Sequence, residues 1–206
     1  MAEKIVSSRD AILASALREF AARGFAGARV ETIARSAGIN KAMLFYYFSS
    51  KEGLYQAILQ EVMAEFFKKV QGLVTPLLTP GEFLERFPKL YIELCASHPD
   101  FVRLVGFDLI QNPDNICAVM AGIITRMSEF KPHPLFEVIR SWHAQGQISE
   151  ADPVQFMMNV VALSIFSFIG RPMVEAISGM RVADDGEFYA RRVASVVNVL
   201  KRGMLK

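Results

Sequence analysis

Asn40, Lys41, Ala42, Met43, Phe45, Tyr46, Tyr47 and Lys51 crowd into one short stretch, and their chemistry suits nucleic acid better than catalysis. Two lysines bring ammonium donors, two tyrosines bring hydroxyls, and Ala42 leaves room for a close approach. Ammonium and hydroxyl groups suit phosphate oxygens, while Met43 or Phe45 offers an apolar surface that fits a thymine methyl. Nothing comparable points to catalysis. His98, His133 and His143 are scattered, and two of them stand before proline. The chain has no Gly-rich phosphate loop, no H-E-x-x-H, no G-x-S-x-G and no metal-ligand cluster. The expectation is therefore a protein that is not an enzyme, with no catalytic residue, metal or cofactor.

Such side chains need an element that exposes them. Residues 45–48 are four consecutive aromatics, and successive helical positions turn by about 100°, so they cannot all face inward. Leu44 and Phe48, four apart, supply an inward face that would rest on Ile12, Phe20 and Ile33. Asn40 is a good N-cap, and the helix N-terminus behind it, with Lys41, favours a phosphate or an acceptor-rich base edge. An amphipathic segment, 30–37, precedes it with only Gly38, Ile39 and Asn40 between. Two short helices joined by a tight Gly-containing turn make a helix-turn-helix, whose second helix enters a DNA major groove.

The bulk of the chain is compatible with this reading. Its 206 residues are 52% hydrophobic and 21% charged, enough for a buried core and against wholesale disorder. Net charge is only +2, but residues 1–55 hold eight Lys/Arg against five Asp/Glu, and the remainder fifteen against sixteen. A modestly basic head on a neutral body suits nucleic acid at one end. Cys95 and Cys117, without C-x-x-C spacing, read as buried free thiols, with a redox pair as the alternative. The N-terminus lacks the apolar region of a signal peptide, so a cytoplasmic protein is expected. Residues 154–170 carry no charge, yet they include Gln155, Asn159, Ser164 and Ser167 and end at Arg171-Pro172. A span needs roughly 20 apolar residues, so this reads as a buried interface helix and no membrane partner is expected.

Helical periodicity recurs throughout, and the fold class is all-α, with nine or ten helices. Ile12, Leu13, Ala16, Leu17 and Phe20 form one stripe, starting near Ser7 with Asp10 and stopped by Gly24. Leu54, Ile58, Val62 and Phe66 mark a longer helix running to about Gly72. Further helix starts share one spelling, a polar N-cap and then proline: Thr79-Pro80 with Glu82 completing a capping box, His98-Pro99, Asn112-Pro113, His133-Pro134, and Asp152-Pro153 with Gln155. A last helix opens at Asp184. Three short helices form an N-terminal domain, 1–50, and the remainder, 51–206, forms a larger helical domain.

The segments REFAARGF (18–25) and ETIARSAGINKAMLFYYFSSKEGL (31–54) resemble the TetR family of transcriptional regulators. The specific match covers the first quarter of the chain; the rest matches in general layout. The resemblance implies an Ω-shaped helical homodimer that represses transcription at a palindromic, double-stranded DNA operator. A small-molecule effector in the C-terminal domain would shift the two heads and release DNA. It also maps the recognition positions onto Lys41, Ala42, Met43, Phe45, Tyr46 and Tyr47, and the phosphate-clamping lysine onto Lys51. There are departures: Phe45 stands where tyrosine is frequent, Tyr47 where histidine is common, and Met43 where a small hydroxyl residue is usual. Ala28 and Arg29 occupy the usual Thr/Ser cap, and Arg29 could instead touch phosphate. These changes bear on the operator sequence.

In the larger domain, large apolar residues suit a cavity for a mainly hydrophobic ligand. Candidates are Phe87, Phe107, Met127 and Trp142, with Arg103, Asp108, Arg126 and His143 as polar groups in apolar surroundings. The resemblance places the dimer interface on the last two helices, 153–178 and 184–204. Phe156, Val160, Leu163 and Ser167 form one face there, and Val193, Val196, Val197, Leu200 and Met204 another. Alternatives remain: a regulator that senses thiol chemistry or a protein partner, or an activator.

Overall fold

The computed structural model describes residues 8–73, 75, 77–126, 133–181 and 186–206. They form α1 (Ser8–Gly27), α2 (Val30–Ser36), α3 (Lys41–Phe48), α4 (Lys51–Gln71), α5 (Pro80–Ser97), α6 (Pro99–Gln111), α7 (Pro113–Arg126), α8 (His133–Ala144), α9 (Pro153–Ile169), α10 (Arg171–Ser178) and α11 (Gly186–Met204). The all-helical expectation holds, with eleven helices among the described residues. The expected helix starts at Ser7 and Asp184 fall outside them.

The chain divides into two compact units, each continuous in space but not in sequence. One holds the described residues up to Ala64 together with Asp100–Arg126, so α6 and α7 belong with α1, α2 and α3. Its core is the stripe Ile12, Leu13, Ala16 and Phe20 closing on Ile33, Ala34, Leu44, Leu54, Tyr55 and Ile58, all buried. Gly24 interrupts α1 with φ 66° and ψ 174°, a left-handed φ that favours glycine and ends the regular helix there.

The other unit holds Glu65–Pro99 and the described residues beyond Met127. Its core runs through Phe83, Phe87, Ile92, Ile139, Trp142, Phe156, Val160, Val196, Leu200 and Met204. Phe83 lies 5.0 Å from Phe87, 5.7 Å from Trp142 and 6.0 Å from Phe156 between ring centroids. The Trp142 indole N–H donates to the Leu78 carbonyl at 3.2 Å, which satisfies its only donor. Arg192 ties α11 to α9 by donating to the Leu163 carbonyl at 2.5 Å.

The proline-marked helix starts fare unequally. Thr79 and Glu82 form the expected capping box, each side chain accepting the other's backbone N–H at 3.2 and 3.1 Å. Asp152 accepts from Val154 N–H at 2.8 Å instead of the third helical N–H, so Gln155 completes no box. α6 starts at Pro99 as expected, but the His98 ring turns back to α5, its Nδ1 3.1 Å from the Leu94 carbonyl. His133 is itself the first residue of α8. The single helix expected over 153–178 breaks at Gly170, where α9 and α10 diverge by 62°. Pro172, which has no N–H to continue the ladder, follows directly. Among the described residues no single helix is long and apolar enough to cross a membrane. Cys95 is buried as expected, but Cys117 is exposed because α7 turns Ile116 and Ile123 inward instead.

Candidate nucleic-acid interface

The turn between α2 and α3 is built from local chemistry. Gly38 takes φ 70°, and Ile39 N–H donates back to the Ala34 carbonyl at 3.0 Å. The Asn40 side chain then accepts Met43 N–H at 2.8 Å, the N-cap bond that starts α3. Arg29 precedes α2 in extended conformation and makes no side-chain cap bond. Its backbone N–H donates to Glu19 at 3.2 Å, which leaves the exposed guanidinium uncommitted to capping.

With that start fixed, α3 turns Leu44 and Phe48 into the core. Lys41, Ala42, Met43, Tyr46 and Tyr47 are exposed and Phe45 is half-buried. Tyr46 is 84% exposed, far more than an aromatic in a packed core would be. The rings of Tyr46 and Tyr47 meet edge-on at 5.5 Å, which orders the two phenols on one side of the helix.

The two lysines are held at opposite ends of this surface. Lys41 pairs with Glu31 of α2 at 2.5 Å and lies 5.7 Å from the Phe45 ring centroid. The hydrogen bond from Lys41 holds the Glu31 carboxyl below its ordinary value, helped by Glu31's own backbone N–H and the lysine charge. Lys51, at the start of α4, donates to the Ala26 carbonyl at 3.3 Å and rests 4.9 Å from the Phe25 ring centroid. Two further donors of each ammonium remain for an anion.

The ligand candidates do not gather in one place. Phe87 and Trp142 share the aromatic core of the second unit, where His143 is half-buried. Arg103, Phe107 and Asp108 lie in the first unit. Arg103 is exposed and 3.6 Å from Asp100. Asp108 is only 2% exposed, and both its oxygens are engaged by protein donors, Phe25 N–H at 3.2 Å and the Tyr55 hydroxyl at 2.5 Å. Arg126 ends α7; its side chain, like Met127, lies outside the described residues.

The expected dimer residues divide in a similar way. Phe156, Val160, Val196, Leu200 and Met204 are buried inside their own protomer, and Leu163, Ser167, Val193 and Val197 are half-buried. The most regular apolar stripes were bound to be the inner ones, because α5, α9 and α11 pack on one another. What the protomer leaves open is a second stripe along α9: Val154, Met158, Ala162, Phe166 and Ile169. Met173, Val174 and Ile177 of α10 are exposed beyond it. Beside the stripe lies an open apolar concavity of about 370 Å³, lined by Phe136, Val154, Met157, Met158, Val161 and Ala162. Sequence periodicity missed this stripe because it interleaves, at the same helical spacing, with the inner one.

Known proteins share both halves of this architecture. Residues 12–58 match the family described as bacterial regulatory proteins, tetR family, and residues 80–200 match the tetracyclin repressor-like C-terminal domain. The chain is 26% identical over 200 residues to the HTH-type transcriptional regulator RutR of Escherichia coli K12, covering 97% of this chain and 92% of that protein. It is 33% identical over 105 residues to the HTH-type transcriptional repressor NicS of Pseudomonas putida, covering 51% of this chain and 50% of NicS. Among solved structures, SCO4942 of Streptomyces coelicolor superposes with a TM-score of 0.69 at 25% identity, covering 95% of this chain and 97% of that one. FadR of Bacillus halodurans shares the fold at a TM-score of 0.70 and 18% identity, with 96% of each chain covered. With family matches over both the helix-turn-helix and the helical body, the chain belongs to the TetR family of transcriptional regulators.

Proposed function

We propose that this regulator is a cytoplasmic repressor that grips a palindromic operator as a homodimer and lets go when a small, mainly hydrophobic inducer binds. The observation that carries the DNA-contact assignment is the outer face of α3: an Asn40-capped N-terminus with Lys41, Ala42, Met43, Tyr46 and Tyr47 exposed on it. Lys41, Ala42 and Met43 enter the major groove and read base edges, with Phe45 flanking them. Tyr46, Tyr47, Lys51 and Arg29 hold phosphates and set the register. Residues 1–50 act as the DNA-reading domain and 51–206 as the sensing and dimerising one.

The homodimer reading is supported by the open apolar stripe of α9 and the apolar surface of α10, a contiguous patch of a kind soluble proteins cover. A two-fold pairing of such stripes would bring two heads to half-sites one helical turn, or a multiple, apart. The hydrophobic inducer is supported by the aromatic make-up of the core around Phe87 and Trp142. Thiol sensing through Cys95 has less support, because burial pushes that thiol up to about 12, far from the reactive thiolate.

The test is fluorescence anisotropy with DNA from upstream of the protein's own gene, at several salt concentrations, against a scrambled duplex. Saturable binding at two subunits per site, or a multiple, and well above the scrambled control is expected. Binding of both duplexes alike would contradict operator recognition at that locus. Mass spectrometry of the purified protein would then reveal whether it already carries an inducer.

A further inference from the structure

Asp108 is a buried carboxylate on α6, outside the helix-turn-helix, with one oxygen spent on the DNA-reading head and the other on α4. One accepts the backbone N–H of Phe25, a residue 83 positions earlier, just past the break in α1. The other accepts the Tyr55 hydroxyl, which burial, the Asp108 hydrogen bond and its charge keep protonated and able to donate. Beside it Phe107 seals the joint. A Cβ on Gly24 would fall 2.2 Å from the Phe107 ring and 3.1 Å from an Asp108 oxygen, so the backbone there fits flush against α6. The Phe25 ring in turn packs on Tyr55 at 4.9 Å and carries the Lys51 ammonium on its face, while the Ala26 carbonyl accepts from the same lysine.

We propose that Asp108 is a positioning residue for DNA binding: it fixes the Phe25 and Ala26 backbone on which Lys51 rests, and so aims that ammonium at a phosphate. This rests on the reading of Lys51 as a phosphate contact. Without the carboxylate, Phe25 N–H loses its acceptor and the support under Lys51 loosens, although α3 itself is untouched.

A double-mutant cycle tests this, with Asp108→Ala, which leaves no acceptor for Phe25 N–H, and Lys51→Ala, singly and together, titrated against the upstream duplex and its scrambled counterpart over a range of salt. Asp108→Ala is expected to weaken binding to both duplexes by about tenfold. It should also lower the salt slope by about one, as Lys51→Ala does. In the Lys51→Ala background it should cost no more than about twofold, because the two act through one contact. Equal losses in both backgrounds, or an unchanged salt slope, would mean that Asp108 only stabilises the fold, and would overturn the proposal. Lys51→Ala binding like the wild type would overturn the phosphate reading and the proposal together. Should Asp108→Ala fail to fold, Tyr55→Phe removes the hydroxyl that holds the carboxylate in place and carries the same cycle with the same two readings.

Discussion

Helices α3 and α9 are both strongly apolar, and both bury one stripe while leaving another in the open, yet the open stripes differ in kind. On α3 the exposed side combines Lys41, Tyr46 and Tyr47 with Ala42 and Met43, so every large ring there carries a hydroxyl or borders a cation. On α9 it is Val154, Met158, Ala162, Phe166 and Ile169, without a charge or a hydroxyl. The first surface has donors to spend on an acceptor-rich polyanion. The second has only area, and gains by meeting a surface like itself. The inner stripes, Leu44 with Phe48 and Phe156 with Val160, build each unit; the leftovers decide what each unit meets.

That contrast can be broken most forcefully within α9. Phe156→Ala should destabilise the protomer by about 3–5 kcal/mol, read as a lower melting temperature, because it opens a cavity among Phe83, Trp142 and Val160. Phe166→Asp, on the opposite face, should leave the helical content intact and weaken self-association by about a hundredfold, since two-fold symmetry places the charge in the interface twice. Sedimentation equilibrium separates the two outcomes. A Phe166→Asp protein that stays dimeric would remove the α9 stripe from the interface.

On α3 the expected effects are smaller and differ in character. Lys41→Ala should cost about 1–3 kcal/mol at one base pair if it reads a guanine, and so change sequence preference in a competition between operator variants. Lys51→Ala should weaken all sequences alike, by about tenfold, and lower the salt slope by about one. Tyr46→Phe should also weaken all sequences, more mildly, by about threefold for the loss of one hydroxyl, and leave the salt slope unchanged because no charge is lost.

The legibility of the sequence follows the same contrast. In α3 four adjacent aromatics left no choice about which way Leu44 and Phe48 point, so the exposed set could be named by elimination, and the Asn40 cap and Gly38 turn are local chemistry. In α9 both stripes are apolar, and periodicity alone favours the more regular one, which the protomer keeps for itself. Asp108 shows a further limit. A charge in an apolar segment calls for a partner, but Phe25 and Tyr55 are far away in the chain, and only the folded unit brings them to it. Likewise His98 looks like a cap before proline, but its ring is drawn back to the end of α5.

In the proposed function, the open face of α3 reads DNA in pairs set by the open face of α9. Selection of bound sequences from a randomised duplex pool tests it most directly, because the protein itself picks out the operator. The expected result is enrichment of inverted half-sites whose centres lie about 10 base pairs, or a multiple, apart, and loss of that pairing with Phe166→Asp. Enrichment of single, unpaired sites, or of the same sequences by a protein with Lys41, Tyr46 and Lys51 all replaced, would contradict it.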